Sequence, residues 1–169
     1  MNAGRHLKAI GLLPGMVTVV IPAGIVAIAG ADVGWGLDGA PAALPVVAGA
    51  LLVAAGVALW YVTVRLFAGE GEGTLAPWDP TRKLVVRGPY RHVRNPMITG
   101  VLLVLLGETA LLGSLGVLVW AGIFFAINAV WFRLVEEAGL VRRFGAEYEQ
   151  YRRNVPRWVP RRTPWRPES

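Results

Sequence analysis

The sequence predicts an all-α, polytopic membrane protein: four transmembrane helices with a cytoplasmic C-terminal amphipathic helix and cap. Three observations carry this. The 169 residues are 54% hydrophobic and only 17% charged, with a mean hydropathy of +0.50, whereas soluble domains carry roughly 25% charged residues. The apolar residues gather into four runs, at 10 to about 31, about 42–67, 97–112 and 115 to about 134. All 17 lysines and arginines fall on one side of these runs.

The first run follows Arg5 and Lys8. These cations and Ala29-Gly30-Ala31 resemble the two ends of a signal peptide. The run is longer than the roughly 7–15 apolar residues of such a segment, and its removal would break the charge pattern, so it reads as a retained helix. The first two runs each exceed the roughly 20 residues a helix needs to cross a bilayer. The turn between them, 32–41, holds two aspartates and no basic residue. The third run is only 16 residues, which implies little tilt or a locally thinned bilayer. Gly113-Ser114 separates it from the fourth, so these two form a tight helical hairpin. Ala23, Ala27 and Ala31, and Ala50, Ala54 and Ala58, recur every fourth position. Such stripes are either close-packing seams or apolar filler.

The basic residues set the orientation. Arg65 closes the second run; Arg82, Lys83, Arg87, Arg91 and Arg94 lie between Gly69 and Pro96; nine arginines from Arg133 onward close the chain. The positive-inside rule places both termini and the 69–96 loop in the cytoplasm, which fits a bacterial inner membrane. Charge that borders apolar segments suits anionic membrane lipids, not nucleic acid. The chain has no cysteine and two histidines, His6 and His92. Disulfides and thiolate chemistry are excluded, and no metal site is expected. The chain divides into an N-terminal transmembrane pair, 1–68, and a region of loop, hairpin and cap, 69–169.

The segment Arg87 to Gly100 is the most informative. Before it, Gly69–Gly73 is polar and flexible, Pro77-Trp78-Asp79-Pro80 is a rigid turn with Trp78 suited to the headgroup layer, and 84–86 is a short apolar piece able to pack back on the domain. Gly88-Pro89 marks a turn. Asn95-Pro96 reads as a helix start, with Asn as N-cap and Pro at the first helical position. A helix N-terminus flanked by Arg91 and Arg94 favours an anion. Gly100, about one turn in, lets a ligand or another helix approach. The plainer reading is a membrane-anchoring basic loop with an ordinary cap.

Glu136 and Glu137 close the fourth run. Arg133 lies three and four residues before them, so exposed ion pairs along one helix are one reading. Adjacent carboxylates diverge by about 100°, so the other reading turns at least one inward, towards ligand hydroxyls or an amine. Glu108, inside the third run, is an intramembrane carboxylate and so a functional candidate, or it reaches the far interface. Leu140, Phe144, Tyr148 and Tyr151 recur at helical spacing and define an amphipathic helix kinked around Gly145. It lies on the membrane or covers a pocket. The proline-rich tail from Val155 to Pro160 is extended, with Trp158 as an interface anchor.

Several of these motifs appear together in one known family. Arg87-Gly88-Pro89-Tyr90-Arg91, Arg94-Asn95-Pro96-Met97-Ile98-Thr99-Gly100, Glu136-Glu137, Phe144-Gly145 with Tyr148 and Tyr151, and Val155-Pro156-Arg157-Trp158 resemble the isoprenylcysteine carboxyl methyltransferase and phospholipid methyltransferase group of integral membrane enzymes. The resemblance covers residues 73–160 and implies S-adenosylmethionine as methyl donor. Carried over by position, Tyr90, Arg94, Asn95, Pro96 and Gly100 form one wall of the cofactor pocket, and Glu136 and Glu137 the other. Two positions depart from the family pattern. Asn95 stands where histidine is usual and cannot titrate near neutrality. Ile98 stands where tyrosine is common and alters the pocket's shape.

The expected reaction is in-line methyl transfer to a lipophilic acceptor at the cytoplasmic membrane face. The protein's share is binding and alignment. If a general base is used, Glu137 is the choice; Arg94 or Arg133 holds an anionic acceptor. The rivals are a small four-helix transporter working through Glu108 and a non-catalytic protein that keeps the fold.

Overall fold

The computed structural model describes residues 14–70 and 83–166, with the backbone alone for 67–70. Arg5, Lys8, the start of the first run, the glycine-glutamate stretch beyond Glu70, the Pro77–Pro80 turn with Trp78, and Arg82 lie outside the described residues.

Among the described residues every regular element is helical. A π-turn, Met16–Val20, runs into α1, Ile21–Ala29. A 3-10 turn, Ala40–Ala42, opens α2, Ala43–Glu70. A second 3-10 turn, Gly88–Arg91, precedes α3, Pro96–Leu112. After α4, Leu115–Trp131, a π-turn, Phe132–Glu136, leads into α5, Glu137–Asn154.

Two helices are long and apolar enough to cross a membrane: Ala40–Leu66 and the apolar part of Leu115–Asn154. Met16–Ala29 and Pro96–Leu112 are shorter apolar helices. At about 1.5 Å per residue, α2 rises about 42 Å and α3 about 25 Å, against a hydrocarbon core of roughly 30 Å. Ile28, Leu44, Leu51, Val119 and Ile127 are all more than half exposed. Apolar exposure on this scale marks a surface that meets lipid or a partner rather than water.

The chain folds as two compact units: Met1–Ala58 with Gly100–Ala126, and Leu59–Thr99 with Ile127–Ser169. In the first, α2 and α3 meet backbone to backbone. A Cβ at Gly56 would lie 2.6 Å from the Gly100 carbonyl oxygen, one at Gly49 2.7 Å from that of Gly107, and one at Gly107 2.7 Å from that of Gly49. Only hydrogen fits in this seam. The alanine stripes do not form it: Ala23, Ala27, Ala31, Ala50, Ala54 and Ala58 are all exposed, which makes them filler. The hairpin at Gly113-Ser114 forms as the sequence predicts. The Asp32 N–H donates to the Leu112 carbonyl at 2.8 Å, and the Trp35 indole N–H to that of Ala110 at 3.0 Å.

In the second unit, Tyr148, Tyr151 and Val155 form a buried core against Leu84, Val86, Leu140, Phe144 and Trp165. The apolar face of α5 therefore covers the 84–86 segment and the tail. Gly145, at φ 51° and ψ −126°, breaks the helix where the kink was expected; a side chain is disfavoured in that conformation. Trp158 packs edge-on against Phe132, with centroids 6.3 Å apart. It is half-buried, so its ring is a packing element as well as an amphipathic one.

Candidate functional site

The site is built in the second unit, from the segment before α3, the start of α5 and the tail. Gly88-Pro89 starts the 3-10 turn that buries Tyr90 at 7% exposure. The Tyr90 carbonyl accepts a 2.7 Å hydrogen bond from the Tyr151 hydroxyl. Asn95 then sits at the helix start, as the sequence predicts. It is buried, and its carbonyl accepts both the N–H and the hydroxyl of Thr99, at 3.1 and 3.0 Å. Pro96, fully buried, opens α3. Proline has no N–H, and those of Met97 and Ile98 have no partner within the helix.

The tail runs back along this segment. Backbone N–H groups of Arg94, Arg161 and Trp165 donate to the carbonyls of Pro156, His92 and Arg91, at 2.9, 2.9 and 3.0 Å. The His92 imidazole adds a bond from Nδ1 to the Arg161 carbonyl, 2.8 Å. A carbonyl only accepts, so Nδ1 carries the hydrogen.

The charged centre is Glu137. Arg157 grips its carboxylate with two donors, Nε to Oε1 at 2.8 Å and NH2 to Oε2 at 2.9 Å. Arg94 NH1 shares Oε1, also at 2.8 Å, and donates to the Tyr148 hydroxyl at 3.3 Å. The side chains of Glu137, Arg94 and Arg157 are 13%, 12% and 26% exposed. Burial raises the Tyr148 phenol above its ordinary range; the Glu137 charge adds to this and Arg94 opposes it. Burial also raises Tyr90, with Tyr151 adding to it, and raises Tyr151 against the pull of Arg94. The three phenols therefore stay protonated and serve as neutral hydrogen-bonding groups.

The two adjacent glutamates diverge as helical geometry requires. Glu136 is more open, with its side chain 40% exposed and a looser 3.7 Å contact to Arg143. Among the described residues neither pairs with Arg133, which is exposed. Arg133, expected at the site, is thus not among the residues joined there. Gly100 belongs to the first unit, where its carbonyl faces Gly56. Glu137, expected as a candidate base, has both oxygens engaged by guanidinium groups.

Arg157 was the residue that charge pattern missed. Its partner lies 20 residues earlier, beyond any helical spacing. The only sequence signal was its place in the Val155–Trp158 motif.

Two donors remain. The buried Nε–H groups of Arg91 and Arg94 have no hydrogen-bond partner among the described residues. Both arginines lie on the segment that leads into the N-terminus of α3, and buried guanidinium donors of this kind beside a helix N-terminus fit an anionic ligand group. The surface depression on α5 lined by Ala146, Glu149, Gln150, Arg153 and Asn154 shares no residue with this cluster.

The phospholipid methyltransferase family pattern matches residues 44–147. The chain belongs to this family. It is 37% identical over 83 residues to a protein-S-isoprenylcysteine O-methyltransferase of Schizosaccharomyces pombe, covering 46% of this chain and 33% of that protein. It is 36% identical over 72 residues to methanethiol S-methyltransferase 2 of Bradyrhizobium diazoefficiens, covering 43% of this chain and 27% of that one. The matches thus span about a third or less of these relatives' lengths. No solved structure matches. The family match begins near the start of α2 and ends within α5, so it takes in Tyr90, Arg94, Asn95 and both glutamates. Arg157 lies beyond it.

Proposed function

We propose that this protein transfers the methyl group of S-adenosylmethionine to a lipophilic acceptor at the cytoplasmic face of a bacterial inner membrane. Four spanning helices and cytoplasmic termini belong to the same reading, with 1–68 as an anchoring pair and 69–169 as the methyltransferase region. The observation that carries it is the pair of buried, unpartnered Nε–H groups of Arg91 and Arg94, on the segment leading into α3. A carboxylate, such as the one S-adenosylmethionine bears, satisfies such donors.

When bound, the cofactor supplies an activated methyl on a sulfonium. The chain's residues bind and orient. Arg91, Arg94 and the first-turn N–H groups of α3 hold the carboxylate. Glu136, the more open carboxylate, accepts from hydroxyls or an amine. Buried Tyr90 and Asn95 shape the wall between them. The positional gain of alignment accounts for much of the acceleration in such a reaction.

The acceptor is most simply an oxygen or sulfur nucleophile that is already anionic. Such a group needs no base, and Glu137 is bound on both oxygens. The relatives' names, an O-methyltransferase and an S-methyltransferase, favour the same classes. Calorimetry of the detergent-solubilised protein with S-adenosylhomocysteine tests the reading directly. Saturable binding is expected. Well-folded protein that binds none of it would overturn the proposal. Incubating membrane lipid extracts with methyl-labelled cofactor then identifies the acceptor. Glu108→Gln should leave label transfer intact, and Glu136→Gln should lower it.

A further inference from the structure

The geometry points to Arg157 as a positioning residue: from the C-terminal tail it holds Glu137 so that Arg94 keeps a donor for the anionic ligand. This rests on the cofactor reading above.

Glu137 has two oxygens and two arginines compete for them. Arg157 lies alongside the carboxylate and takes both, Nε to Oε1 and NH2 to Oε2. This is the fork geometry in which arginine binds carboxylates most strongly. Arg94 is left with one shared contact, NH1 to Oε1. Its Nε–H, buried, stays without a partner. Without Arg157, Oε2 is vacated and Arg94 can rotate to fork onto Glu137 itself. In the side-on fork that Arg157 now makes, Nε with NH2, the Nε–H of Arg94 would be consumed internally and withdrawn from the ligand. Arg157 thus acts through Glu137 on Arg94 and need not touch the ligand at all.

The tail is well placed for this. Residues 156–165 are fixed to 91–94 by three backbone hydrogen bonds and the His92 imidazole. On the tail's side those anchors use main-chain atoms alone, so they do not depend on the Arg157 side chain. The side chain and the docking of the tail are therefore separable.

The test measures S-adenosylhomocysteine affinity by calorimetry in wild type, Arg157→Ala, Arg157→Lys and Arg162→Ala. Arg162 is exposed on the same tail and controls for the loss of one positive charge. Arg157→Ala should weaken binding about tenfold or more, the scale of a small misplacement of a binding group. Arg157→Lys should recover little, because an ammonium cannot fork. Low-millimolar guanidinium should restore part of the affinity of Arg157→Ala and none of Arg157→Lys. Arg162→Ala should bind as wild type does. Equal affinity of Arg157→Ala and wild type would overturn the inference, as would equal losses in Arg157→Ala and Arg162→Ala. If Arg157→Ala does not fold, Arg157→Lys with unchanged thermal unfolding answers the question alone: wild-type affinity in it overturns the inference, weakened affinity supports it. No binding by wild type is a different outcome and strikes the cofactor reading itself.

Discussion

Glu136 and Glu137 are neighbours in sequence with unequal surroundings, and the difference is measurable. Glu137 accepts three short bonds from two guanidinium groups, while Glu136 has one longer contact and is more open. Removing one partner of a mostly buried ion cluster leaves the other charges uncompensated, at a cost of roughly 3–5 kcal/mol; the partial exposure of Arg157 lowers this towards about 2 kcal/mol. Glu137→Gln should therefore lower the unfolding midpoint in detergent clearly, whereas Glu136→Gln should stay within about 0.5 kcal/mol of wild type. Equal effects on stability would contradict the assigned geometry. A second residue-scale effect sits at Tyr151. Phe at this position removes the 2.7 Å bond to the Tyr90 carbonyl and leaves a buried acceptor without its donor, costing about 1–3 kcal/mol. Differential unfolding of Tyr151→Phe against wild type checks it. At this scale the sequence was read unevenly. Adjacent acids on a helix had to diverge, and they do. Which one turned inward went with an arginine in the tail 20 residues away, a partner with no local signature.

At the scale of elements, the apolar runs located the helices to within a few residues, because hydrophobic length and caps are local properties. α3 and α4 begin and end almost where Asn95-Pro96 and Gly113-Ser114 place them. The seam between α2 and α3 was not legible. Alanines every fourth residue were either a packing stripe or filler, and they are filler; glycines seven apart carry the seam. Composition shows which residues are small; it does not show which way a helix is turned when its whole surface is apolar. The seam has a direct test. Gly107→Ala drives a methyl onto the Gly49 carbonyl, and Gly56→Ala one onto that of Gly100. Backbone cannot yield as a flexible side chain does, so each should destabilise by about 1–3 kcal/mol. Gly122 in α4 has nothing within 4 Å, and Gly122→Ala should be neutral or stabilise by up to about 1 kcal/mol through helix propensity. Thermal unfolding of the three variants in one detergent separates these outcomes. Similar midpoints for all three would mean that the helices do not approach as closely as described.

At the scale of the whole molecule, the two compact units differ in what can titrate at alkaline pH. The second holds Tyr90, Tyr148 and Tyr151, all buried and all raised above their ordinary value of 10.0. Among its described residues the first holds no tyrosine. A phenol whose folded value is raised keeps its proton in the folded state while the unfolded chain loses one. Its contribution to stability is therefore complete below about pH 10 and is lost as pH rises towards the folded values. The loss concerns the core that holds α5 and the tail against 84–94, and arginines stay charged throughout and offer no compensation. Raising the pH from about 9 to 12 should thus release the second unit first. Helical ellipticity should fall by a share comparable to α5, in step with tyrosinate absorbance and with loss of S-adenosylhomocysteine binding, while the apolar helices of the first unit remain folded in detergent. A single transition that takes all helix at once would show that the two units are not separately stabilised. A loss centred below pH 9 would assign the alkaline sensitivity to some group other than these phenols.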